Sequence, residues 1–139
     1  MEAHLEEAHR SMRLAERDLR AYQVLKVSPG IDLSTIGFHA QQVIEKSIKA
    51  VLFLNNIEFT RTHDLVELSL ILQNHNILLP ITNERLNEFN PFAVLYRYDD
   101  HELSVTPNQE MDEIVWVIFH WAKDTIQTAT RNLGLNDNV

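Results

Sequence analysis

A chain of 139 residues with no cysteine excludes disulfides, thiolate metal sites and cysteine nucleophiles. Its formal charge of −8, from Asp+Glu 20 against Lys+Arg 12, argues against broad electrostatic adhesion to nucleic acid, which rests on neutralising phosphates. With 45% hydrophobic residues and only 3 Gly, the chain can bury a core and reads as one domain over residues 1–139.

The start, MEAHLEEAHR, is charged and unlike a signal peptide, and no apolar run approaches the roughly 18 residues of a membrane span. A cytoplasmic protein without membrane attachment is the expectation. From about Ala3 to Lys26, Leu5, Ala8, Met12, Ala15, Leu19 and Tyr22 recur at spacings of three and four, predicting an amphipathic helix with one narrow seam. Its charged faces offer one-turn pairs such as Glu6 with Arg10 and Glu16 with Arg20. Pro29 and Gly30 then break the helix.

The stretch Leu33–Asn56 organises the rest. Its apolar arc holds Ile36, Ala40, Val43, Ile44, Ile48, Ala50, Val51, Leu52 and Leu54, wider than a surface helix needs. The remaining arc gathers His39, Gln42, Glu45, Lys46 and Lys49, with Phe38 and Phe53 among them. This predicts the central helix of a bundle with one polar ridge.

Asn55 and Asn56 suit its C-terminal end. Thr62 is the expected cap of a third helix, with Asp64 in its first turn and Leu65, Leu68 and Leu72 on its apolar face, reaching to about Gln73. After a loop to Pro80, Thr82 should cap a short helix carrying Leu86 and Phe89. Asn90-Pro91 then interrupts it or restarts it. Tyr98–Val105 is expected to be a loop. Thr106-Pro107-Asn108-Gln109 has the form of a capping box, and Met111, Ile114, Val115, Ile118, Trp121, Ala122, Thr125, Ile126 and Ala129 then run at helical spacing to a stop at Gly134. Four to five helices on short connections predict an all-α, antiparallel up-and-down bundle. The breadth of the central apolar arc is one reason to expect a dimer.

Two groups of residues can carry chemistry. His39, Gln42, Lys46 and Lys49 lie along one stripe of the central helix and suit an anionic ligand such as a phosphate. The competing reading is a wet stripe in which Glu45 and Lys49 form an ordinary intrahelical pair. Tyr96-Arg97-Tyr98-Asp99-Asp100-His101 puts a guanidinium, two stacking rings, two carboxylates and an imidazole in six positions, although the tyrosines can be packing and Arg97 can simply neutralise Asp99 or Asp100. His63 is expected to donate to a nearby carbonyl and fix its loop. His4, His9, His75 and His120 have no partners at metal-ligand spacing, and Asp99 to Glu102 are too crowded in sequence to converge on one ion, so no metal site and no cofactor is expected. There is no glycine-rich phosphate loop and no nucleophile elbow.

The run FHAQQVIEKSIKAVLF, then RTHDLVEL, then LYRYDD before a long final helix resembles the HEPN family, the nucleotide-binding domains of higher eukaryotes and prokaryotes, in its stand-alone prokaryotic type. The resemblance covers nearly the whole chain. Phe38-His39-Ala40-Gln41-Gln42, Glu45-Lys46 and Lys49-Ala50 match the family's aromatic, Q-Q, E-K and K-A pattern. Ala15, Asp18 and Leu19, His63-Asp64-Leu65, and Arg97-Tyr98 before an acidic residue match as well, with Asp99 where the family often has proline.

The resemblance implies a helical bundle that commonly dimerises and is often encoded beside a minimal nucleotidyltransferase, in some cases as a toxin–antitoxin pair. Other branches are metal-independent ribonuclease toxins whose signature is Arg, four to six residues, then His. No arginine here has that spacing, and Arg97 and His101 are separated by only three residues. The favoured reading is therefore a non-catalytic module that binds a nucleotide or a partner enzyme's substrate through His39, Gln42, Lys46, Lys49, Arg97 and Tyr98. The enzymatic alternative is a ribonuclease acting on RNA with Arg97 and His101, and a third reading is a purely structural partner.

Overall fold

Helix α2, Leu33–Leu54, is the element that the rest of the chain covers. The computed structural model describes residues 2–95 and 109–134. In these, α1 (Ala3–Leu25), α3 (Leu65–Asn74), α5 (Phe92–Leu95) and α6 (Gln109–Asn132) all pack on α2, and the short α4 (Asn83–Asn87) packs on α3. All regular structure among the described residues is helical, as the periodicity predicts, and none of these helices is long and apolar enough to cross a membrane. Ile36, Ala40, Val43, Ile44, Ile48, Ala50, Val51 and Leu52 of α2 are buried and Leu54 is half-buried, so the chain itself covers nearly all of the broad apolar arc. Each fully buried Val, Leu or Ile among them contributes roughly 1.5–3 kcal/mol over leaving it exposed.

Gly37 explains how α5 approaches so closely. Phe92 is fully buried, and a β-carbon on Gly37 would lie 2.1 Å and 2.2 Å from Cδ1 and Cε1 of its ring. The hydrogen in place of a side chain opens the notch that the ring fills. Beyond Leu54, Asn55 closes the helix by donating from Nδ2 to the Val51 carbonyl at 2.8 Å, and Asn56 takes a left-handed conformation with φ +52.

The start of α3 differs from expectation. Asp64, not Thr62, is the cap: its Oδ1 accepts from the Val66 and Glu67 amides at 2.9 and 3.3 Å. Thr62 is used one step earlier, with Oγ1 accepting from the Asp64 amide and donating to Glu67. A carboxylate offers the stronger acceptor to the orphaned N–H groups of a helix start, which places the boundary at Asp64. Asn90 completes this cap from across the fold. Its Oδ1 accepts from the Leu65 amide at 2.8 Å and its Nδ2 donates to Asp64 at 3.0 Å, so the asparagine before Pro91 serves α3. Thr82 does cap α4, accepting from the Arg85 amide. Glu16 pairs with Arg20 as expected, whereas Arg10 lies near Glu7 instead of Glu6. The expected Thr106 cap and the Tyr98–Val105 loop lie outside the described residues, while Gly134, with φ +73, follows the end of α6.

A polar clamp ties the end of α1 to the start of α6. Asp112 Oδ1 accepts from the Tyr22 hydroxyl and, at 2.8 Å, from the Lys26 ammonium. Burial, followed by the hydrogen bond to Asp112 and its charge, pushes the Tyr22 phenol well above its ordinary value. Burial works to raise Asp112, but the hydrogen bonds from Lys26 and Tyr22 and the Lys26 charge outweigh it and hold this carboxyl low. The Tyr22 contribution is therefore complete below about pH 10 and lost as pH rises further, while the Asp112 contribution is present above about pH 4 and lost as pH falls. Thermal melts between pH 7 and 11 should show Tyr22→Phe losing less stability above pH 10 than the parent. Parallel alkaline slopes would contradict this assignment.

Candidate functional site

The polar ridge of α2 is built around two carboxylates, one from each of two helices. Asp18 projects from α1 and is only 14% exposed. Its Oδ1 accepts from His39 Nδ1 at 3.0 Å, and its Oδ2 accepts from the Lys46 ammonium. One turn further along, Glu45 is 5% exposed. Its Oε2 accepts from Lys49 at 2.9 Å, and its Oε1 accepts from Gln41 Nε2 at 3.0 Å and from His63 Nδ1 at 3.0 Å.

These bonds form a continuous polar layer. Gln41 also donates to the His63 carbonyl at 3.4 Å, and its own Oε1 accepts from Gln42 at 2.7 Å. His39, Gln42, Lys46 and Lys49 are thus all half-buried and held on one side of α2. Holding long cationic side chains on buried carboxylates removes much of their rotamer freedom in advance. With neutral imidazoles, the charges of Lys46 and Lys49 balance those of Asp18 and Glu45.

The wet-stripe reading describes the exposure incorrectly: the Glu45–Lys49 pair exists, but Glu45 is buried and acts as a hub. His63 does not donate its ring to a loop carbonyl; its Nδ1 meets the Glu45 carboxylate across the α2–α3 connection, while the ring remains 67% exposed. His9, to which sequence reasoning assigned nothing, is buried between α1 and α6. Thr130 Oγ1 already donates to the Ile126 carbonyl, so His9 Nε2 donates to Thr130 Oγ1, at 3.2 Å. Arg97, Tyr98 and His101 lie outside the described residues.

Asp18 is the residue that the chemical reading of the ridge overlooked. A signal for it existed: Asp18 sits on the α1 face beside Ala15 and Leu19, an acidic residue next to the buried seam of a helix that precedes the lysine-bearing ridge of Lys46 and Lys49. Among the described residues, no group of three or more histidines and carboxylates is arranged to hold a metal ion. The layer can instead present fixed ammonium, imidazole and amide donors to an acceptor-rich group.

No curated protein and no solved structure matches this chain. The model of the HEPN domain family matches residues 1–129. That span takes in α1 to α5, nearly all of α6 and the whole two-carboxylate layer, and so connects the helical architecture to nucleotide- and RNA-related proteins. The chain belongs to the HEPN domain family.

Proposed function

We propose that this HEPN domain is a nucleotide- or substrate-binding module without catalytic residues of its own, acting as a homodimer beside a minimal nucleotidyltransferase, in the manner of a toxin–antitoxin pair. The observation that supports this reading is the pre-organised α2 face, on which His39, Lys46 and Lys49 are fixed by Asp18 and Glu45. Because Asp18 and Glu45 balance the charges of Lys46 and Lys49, the face exerts little long-range pull on a polyanion. A compact, multiply charged phosphate group can still add to such pairs through charge-assisted hydrogen bonds. The overall charge of −8 favours a small ligand over long nucleic acid for the same reason. In this reading Lys46, Lys49 and Arg97 take the phosphates, Tyr98 stacks or hydrogen-bonds, and His39 and Gln42 complete the polar wall.

Isothermal titration of ATP into the purified protein tests it, with Lys46→Ala and Arg97→Ala in parallel and light scattering to establish the mass of each. Saturable binding weakened at least tenfold in both variants is the expected result, which corresponds to about 1.4 kcal/mol or more. Equal binding by all three proteins, or none by the folded parent, would contradict it.

A further inference from the structure

Between the C-terminal end of α1 and the N-terminal end of α6 lies a hollow of about 440 Å³, within the size range of small-molecule sites. It shares no lining residue with the α2 face. Leu19 and Val115, both buried, give it apolar surface, and Trp116 stands at its side 55% exposed. The indole is supported: its ring packs against His120 one turn on, with centroids 3.9 Å apart.

The polar lining includes the Tyr22–Asp112–Lys26 clamp and Glu113. Tyr22 and Lys26 both donate to Asp112 Oδ1, and Oδ2 accepts no hydrogen bond among the described residues. One ammonium, Lys26, stands against two carboxylates, Asp112 and Glu113, which leaves the lining one unit negative.

We infer that this hollow is a binding site for a small organic cation, an amine or amidine with an apolar body. The open oxygen of Asp112 accepts a charge-assisted hydrogen bond, and the face of Trp116 attracts positive charge. Leu19 and Val115 shield the apolar body from water. An anion of the same shape meets net negative charge, and a neutral one gains only burial. Carbohydrate or nucleotide phosphates are disfavoured here on the same grounds, so this site goes beyond the nucleotide reading and does not depend on it.

Benzamidine, benzamide and benzoate have closely similar shapes and differ in charge, and they test this directly. Saturation-transfer NMR and tryptophan fluorescence on the full chain should show saturable binding of benzamidine, at least tenfold weaker binding of benzamide and none of benzoate. Trp116→Ala, at an exposed position, and Asp112→Asn should each weaken benzamidine at least fivefold, with circular dichroism establishing that both fold. Binding indifferent to charge, or no benzamidine binding at millimolar concentration, would overturn the inference. So would a fall in mass from dimer to monomer in Trp116→Ala, which would assign the hollow to a second copy of the chain. ATP is titrated separately, so either reading can fail while the other stands.

Discussion

Replacing Gly37 with alanine should destabilise the protein by about 3 kcal/mol, although alanine is the better helix former by about 1 kcal/mol. The added methyl would sit 2.1 Å from Cδ1 of Phe92, far inside contact distance, and the ring it meets is fully buried. The result should be a melting temperature about 10 °C lower for a domain of this size. The cause can be separated from a general loss of helix. Phe92→Ala alone should also be costly, through the cavity it leaves, but Gly37→Ala added to it should cost little or nothing. A Gly37→Ala protein that melts at or above the parent would show that α5 does not seat its phenylalanine in this notch.

Glu45→Ala is expected to cost a similar amount, about 3 kcal/mol, because removing one member of a buried charge pair strands the others. Lys49 would keep a half-buried ammonium without its carboxylate, and Gln41 and His63 would lose their shared acceptor. Glu45→Gln keeps the shape and one carbonyl acceptor, so its smaller loss would isolate the share due to charge. Denaturant unfolding at neutral pH, followed by circular dichroism, measures both. A loss below about 0.5 kcal/mol in Glu45→Ala would place this residue among ordinary surface ion pairs.

The helices were legible because their apolar residues repeat at the helical period, and α2 could be recognised as central from the width of its arc alone. Helix ends are less legible, since Thr62 and Asp64 are both good caps and only the positions of Val66, Glu67 and Asn90 decide between them. The ridge residues were legible as a stripe, but their environment was not. A helical projection places Glu45 on the polar arc, and only the approach of α1 and of the His63 segment turns that arc into a half-buried layer. Asp18 escaped notice as a chemical group because it lies 21 residues from His39 and 28 from Lys46, a separation that no local pattern spans. The Gly37–Phe92 notch was hidden in the same way.

The most direct measurement is the amide and side-chain chemical-shift map of the isotope-labelled protein as ATP is added. Saturable shifts should concentrate on His39, Gln42, Lys46 and Lys49, with Asp18 and Glu45 responding as the partners of those cations. Shifts confined to the α1–α6 hollow around Trp116, or no shifts at all, would contradict a nucleotide site on the α2 face.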